Sequence, residues 1–133
     1  MRNKLVNITQ EEASTIKNKA ETNHSVFLVE LQGRQIQTWE AYAKAAEDKF
    51  KFPTPCLDSV DRYMDWMTDL SWLNRDSFVV IIYDVEVFLS KDDRAKKIVL
   101  ESFAKDILPW WQGEVEQFVV EGKPKSFDIY LVD

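Results

Sequence analysis

The 133-residue chain has one cysteine, three glycines and four prolines, and each shortage excludes a class of protein. A single cysteine cannot form an intramolecular disulfide, so we expect a reducing, cytoplasmic environment. The low glycine and proline counts exclude long low-complexity segments. No apolar run is long enough for a signal peptide or a membrane-spanning helix, and this predicts a protein that stays where it is made.

Recognisable catalytic and cofactor motifs are also missing. Gly33, Gly113 and Gly122 lie too far apart to form a phosphate-binding loop. One histidine and one cysteine cannot supply a zinc cluster or a Cys-His catalytic pair, and His24 is interpreted as an ordinary loop residue. The acidic residues can attract a hard cation weakly, but their spacing is not that of a calcium loop. We therefore expect no catalytic residue, no metal site, no cofactor and no enzymatic activity.

Charge is what the chain has in excess. Its 23 acidic and 17 basic residues give a net charge of -6, and 45% of its residues are hydrophobic. This size and composition predict one domain with an ordinary core, which we expect to be monomeric. The negative charge argues against nucleic acid or an anionic membrane as a partner. It favours either a basic protein partner or simple solubility.

Three apolar, β-rich runs predict strands at residues 25–31, 78–83 and 127–132. Helical patterns separate them, and helical crossovers between consecutive strands favour parallel pairing. The predicted fold class is α/β, with a small three-stranded parallel sheet packed by helices. Residues 1–24 are predicted to be an N-terminal extension, and residues 25–133 the main domain.

The helices are predicted from their caps and their apolar spacing. Thr9 and Glu12 have the spacing of a capping box and predict a short helix over residues 10–21. Thr38 is expected to cap a helix over residues 39–50. A short helical turn is expected at residues 84–89 and a longer helix at 94–106. Pro109 is expected to interrupt that helix and to begin a new one that runs through Val119 and that Gly122 ends.

Residues 52–72 contain the most unusual pattern. Pro53 and Pro55 exclude a helix and predict a loop up to Leu57. In the helix expected next, one face is apolar: Val60, Tyr63, Met64, Met67 and Leu70. The opposite face is acidic: Asp58, Asp61, Asp65 and Asp69. Stacked like charges destabilise a helix by roughly a few tenths of a kcal/mol per pair, so a positively charged partner would explain them. The alternative is a solvated face.

Aromatic residues accompany the acids. Arg62 and Trp66 lie on the flank of the acidic stripe, and Trp72 follows it. Acidic residues beside aromatic ones are typical of a protein interface, although large aromatic residues also pack in cores. Trp110 and Trp111 can be interpreted in the same two ways: they pack in the core, or they form a second contact patch.

Several segments resemble the barstar family, the intracellular inhibitors of the ribonuclease barnase, over roughly residues 26–133. Residues 31–36 look like the exit of the family's first strand, and Phe52-Pro53 resembles the pair before its binding loop. Residues 60–68, VDRYMDWMT, are similar to the family's LDALWDCLT, with Asp61 and Asp65 in register. The strands at 78–83 and 127–131 complete the resemblance.

The resemblance implies that the loop and the acidic helix plug the basic active site of a ribonuclease or other nuclease toxin. Asp65 would lie where a substrate phosphate lies, and Asp61 would be a second contact to basic groups. The remaining expected partner-binding residues are Asp58, Arg62, Trp66, Asp69, Cys56, Leu57 and Ser59. Pro55-Cys56-Leu57 stands where the family commonly has Tyr-Tyr-Gly. A second hypothesis is therefore a barstar-like scaffold that binds a partner other than a nuclease.

Overall fold

The structure is a computed structural model, which describes residues 2–133. Four parallel strands form one sheet in the order β1-β4-β3-β2. The strands are β1 (Leu5–Ile8), β2 (Val26–Gln32), β3 (Ser77–Tyr83) and β4 (Ser126–Val132). The α-helices are α1 (Gln10–Glu21), α2 (Trp39–Lys49), α3 (Val60–Met67), α4 (Asp93–Ser102) and α5 (Val115–Phe118).

The predicted α/β class and parallel sheet are confirmed, but the predicted number of three strands is wrong. β1 adds a fourth strand at the edge of the sheet, where Leu5 aligns with Ile129 and Ile8 with Val132 of β4. β1 has only four residues, too few to show a strand pattern in the sequence, so its pairing with β4 determines its conformation. The division between residues 1–24 and 25–133 stays a prediction, although the first segment shares the sheet.

The two faces of the sheet carry cores of different size. The larger core contains Phe78, Val80 and Ile82 of β3 and buried side chains from α2, α3 and α4. The smaller core lies under α1, where Ala13 packs with Ile81 and other buried side chains of the sheet. β3 is therefore covered on both faces, which explains its continuous run of apolar residues.

The predicted N-terminal caps are confirmed at both early helices. The Thr9 side chain accepts a hydrogen bond from the backbone N–H of Glu12, whose carboxylate in turn accepts from the backbone N–H of Thr9. Thr38 accepts from the backbone N–H of Ala41 at the start of α2. These caps are local, so the sequence determines them without help from the rest of the fold.

Pro109 does not interrupt the helical path, contrary to the prediction. Leu108 and Pro109 both have right-handed helical backbone angles, and π-helical segments flank them at Phe103–Ile107 and Trp110–Glu114. Proline lacks a donor and clashes with the carbonyl four residues earlier in an α-helix. The wider π turns change the hydrogen bonding instead of ending the helix. The α-helical part, α4, ends at Ser102, and the π-helical segment continues the helical path past the predicted end at residue 106.

The last helix ends one residue before the predicted Val119. α5 ends at Phe118, and Val119 is already extended, so Gly122 lies in a turn beyond the helix. A Cβ atom at Gly122 would lie 2.5 Å from the carbonyl oxygen of Val115, which makes glycine necessary there. Within residues 2–133, no helix is both long enough and apolar enough to cross a membrane.

Candidate functional site

Helix α3 is shorter than the pattern predicted. The Ser59 side chain caps it by accepting a hydrogen bond from the backbone N–H of Arg62 at 3.0 Å. Tyr63 and Met67 are fully buried on the predicted core face. Leu70 is also buried, but it follows the helix and has a left-handed backbone conformation with φ 52°. Val60, predicted for the same apolar face, is the first residue of the helix and is exposed.

The four aspartates do not form one helical stripe, so this part of the prediction is wrong. Only Asp61 and Asp65 lie on α3, where they are one turn apart and exposed. Asp58 lies in the turn before the helix. Asp69 follows the helix, and its carboxylate accepts a hydrogen bond from the backbone N–H of Ser71 at 3.2 Å. An eight-residue helix is too short to carry all four.

These carboxylates carry uncompensated negative charge. All four are exposed, and no lysine or arginine within residues 2–133 makes an ion pair with them. We call the exposed surface of Asp58, Asp61, Asp65 and Asp69 the acidic face. Its charges repel one another, and a cationic partner would relieve that repulsion.

Helix α2 holds the loop that precedes the acidic face. The Glu47 carboxylate accepts a hydrogen bond from the backbone N–H of Cys56 at 2.7 Å. The Trp39 indole N–H donates to the carbonyl oxygen of Leu57 at 2.8 Å. The sequence carries no signal for either hydrogen bond, because α2 and the loop meet only in the folded chain.

Helix α3 holds the same loop from its other side. The Arg62 guanidinium donates to the carbonyl oxygen of Pro55 at 3.2 Å, and the Trp66 indole N–H donates to Thr54 Oγ1 at 3.2 Å. The ring of Trp66 also packs edge-on against Trp72, with centroids 5.4 Å apart. Arg62 and Trp66 therefore fix the loop in the free protein, and only their outward surfaces remain for a partner.

Cys56 was expected to bind the partner, but its side chain is buried. A direct contact between this side chain and a partner is therefore a wrong prediction. The side chain has no exposed area, and the sulfur lies 3.9 Å from the carbonyl oxygen of Ala43. Burial, together with Glu47, raises the pKa of the Cys56 thiol to about 11. Two other loop residues expected to bind a partner differ in exposure. Leu57 is 37% exposed, whereas Ser59 is half-buried and caps α3.

Two buried hydrogen bonds attach α3 to the core. The hydroxyl groups of Tyr63 and Tyr42 lie 2.6 Å apart in a buried hydrogen bond. Burial raises the pKa of both tyrosines, so both stay neutral. At the other end, the indole N–H of buried Trp111 donates to the carbonyl oxygen of Met67 at 2.9 Å. Trp111 is thus a core residue, and Trp110 is half-buried beside it.

A protein-family model described as Barstar (barnase inhibitor) matches residues 26–123. The match includes the loop, α3 and the strands β2 and β3, so it covers the acidic face and the side chains that hold it. Comparisons with curated proteins and with solved structures found no match. Because the match spans well over half of the sequence, the chain belongs to the barstar (barnase inhibitor) family.

Proposed function

We propose that this protein inhibits a nuclease by inserting the acidic face into the nuclease's basic active site. One observation carries the proposal. Asp61 and Asp65 project from the same helix, one turn apart, and neither is neutralised by a cation within residues 2–133.

The chemistry of a nuclease site suits these two groups. A nuclease binds a phosphate with arginine and lysine side chains, and a carboxylate can accept the same charge-assisted, bidentate hydrogen bonds. Asp65 would occupy the phosphate position, and Asp61 would bind a neighbouring cation. Opposite fields also accelerate encounter between the two proteins.

The loop and helix α3 are already held in place in the free protein, and this should increase the affinity for a nuclease. Glu47 and Trp39 hold the loop from α2, and Trp111 holds the end of α3. Because these elements are already ordered in the free protein, little conformational entropy would be lost on binding. The carboxylates would therefore meet their partner groups with most of their geometry in place.

The test is a binding measurement by calorimetry against a panel of basic nucleases that begins with barnase. Asp65→Ala is expected to weaken the tightest complex at least about 30-fold, or about 2 kcal/mol. Measurements on barnase–barstar underlie the size known for such charge pairs, so the figure is not independent of this family. Asp61→Ala is expected to have a smaller effect in the same direction.

Asp48→Ala is the matched control. Asp48 is an exposed aspartate in α2 without an ion pair in the described chain, so its loss changes the net charge equally. Equal weakening by the Asp48 and Asp65 variants would reduce the effect to net charge and contradict the proposed site. Absence of binding to every nuclease tested would contradict the function itself.

The second candidate function is an interaction module for a partner that is not a nuclease. The observation that favours it is a group of exposed apolar side chains outside the acidic face, at Phe118, Val119 and Val120. Loss of binding on mutation of these residues, with binding retained by Asp61→Ala and Asp65→Ala, would support this candidate.

A further inference from the structure

Three consecutive apolar side chains are exposed where α5 ends. Phe118 is 72% exposed, Val119 45% and Val120 92%. The other large apolar side chains exposed within residues 2–133 are isolated from them in sequence, at Val6, Leu57 and Val60. We call residues 118–120 the apolar turn. Neighbouring exposed apolar side chains mark an interaction site more often than isolated ones do.

The backbone of the apolar turn is ordered. The N–H of Val119 donates to the carbonyl oxygen of Val115 at 3.0 Å, and the N–H of Gly122 donates to that of Val119 at 2.9 Å. Between them, Glu121 has φ 62°, a left-handed conformation that costs free energy in any residue with a Cβ. The structure thus holds these apolar side chains outward on a fixed turn.

The aromatic ring of the turn has one packed face. Phe118 stacks on Trp110 with the ring planes 14° apart and the centroids separated by 6.2 Å. Trp110 is half-buried and in contact with the main core. The core therefore supports Phe118 from one side, and its other side is open to a partner.

Three acidic side chains lie within four residues of the apolar turn in the sequence. Glu114, Glu116 and Glu121 are exposed and make no ion pair within residues 2–133. The chain has no lysine or arginine between residues 106 and 122, and the exposed Lys123 is the one cation beside these three acids, so the segment 114–123 carries a net negative charge. Two copies of this surface would repel each other, and so would this surface and an anionic membrane. A basic partner is the one that the charges favour.

We infer that the apolar turn is a second docking surface, which binds a protein segment presenting apolar side chains between lysines or arginines. Val120 and the open side of Phe118 supply the apolar contact, and the three glutamates pair with the flanking cations. The inference does not depend on nuclease inhibition, because it uses no residue of the acidic face.

The test is an NMR titration of the full-length chain with a short synthetic peptide in which lysines flank a Leu-Leu pair. A peptide with glutamate in place of lysine is the matched control. The lysine peptide is expected to shift the backbone amides of residues 114–121 and to bind at least about tenfold more tightly than the glutamate peptide.

Variants separate this surface from the acidic face. Val120→Asp adds a charge at a side chain that is 92% exposed, so the fold should persist, and the variant is expected to abolish the shifts at residues 114–121. The double variant Asp61→Asn, Asp65→Asn is expected to leave those shifts unchanged. Glu116→Lys with Glu121→Lys is expected to reverse the preference between the two peptides.

Three results would overturn the inference. Shifts confined to residues 58–69 would assign the peptide to the acidic face alone. Equal affinity for the two peptides would remove the role of the glutamates. A concentration-dependent dimer in sedimentation that Val120→Asp dissociates would make a second copy of this chain the occupant.

Discussion

Replacement of Asn3 by alanine tests whether the N-terminal segment is part of the fold. The Asn3 side-chain amide donates to the carbonyl oxygens of Leu108 at 3.3 Å and Lys125 at 3.1 Å. Its carbonyl oxygen accepts from the backbone N–H of Phe127 at 3.0 Å. One side chain thus connects the segment before β1 to the helical region at Pro109 and to the start of β4.

The size of the effect follows from these three bonds. Asn3→Ala leaves three partly buried backbone groups without their partner, and each such bond contributes about 0.5–1.5 kcal/mol net. The 3.3 Å bond belongs at the low end of that range. We expect the free energy of unfolding to fall by about 2–3 kcal/mol and the melting temperature by roughly 10 °C.

Urea unfolding followed by tryptophan fluorescence measures this loss. Asn7→Ala is the matched control, because Asn7 is exposed in β1 and its side chain has no hydrogen bond within the described residues. Asn3→Asp keeps the acceptor for Phe127 but directs a negative charge at two carbonyl oxygens, so it should destabilise at least as much. A loss below about 0.5 kcal/mol for Asn3→Ala would refute the reasoning, because the three bonds would then contribute nothing net.

Two further predictions concern the core. Trp111→Phe should lower the free energy of unfolding by about 1 kcal/mol more than Trp110→Phe does. The indole N–H of Trp111 donates to the carbonyl oxygen of Met67, whereas the buried indole N–H of Trp110 has no acceptor within residues 2–133. Equal losses in urea unfolding would contradict this assignment. Burial raises the pKa of all four tyrosines above 10, that of Tyr83 to about 12. Unfolded tyrosines ionise near pH 10 while the folded ones stay neutral, so unfolding free energy should fall as pH rises from 10 to 12, and less steeply in Tyr83→Phe. An unchanged pH profile of the urea midpoint in Tyr83→Phe would contradict the role given to that residue.

Local sequence determines only part of the acidic face. Asp61 and Asp65 are four residues apart, and Ser59 starts the helix with a cap within its own turn, so their placement on one helix follows from the sequence. The end of the helix does not. Leu70 leaves the helical conformation but remains buried in the core, and Asp69 is therefore excluded from the stripe.

By itself, the sequence determined the features that act over a few residues. These are the caps at Thr9 and Thr38, the three apolar strands, the loop at Pro53 and Pro55, and the pair of carboxylates on α3. Each depends on backbone preference or on the alternation of apolar and polar residues, which a short window contains.

The tertiary structure decided everything that needs a distant partner. β1 is a strand because β4 pairs with it, and Cys56 is buried because α2 lies over the loop. Trp39 and Glu47 hold that loop from residues that are distant in sequence. Hydrogen bonds and burial between distant segments leave no periodic signal, so only the folded chain shows which side chains order the acidic face.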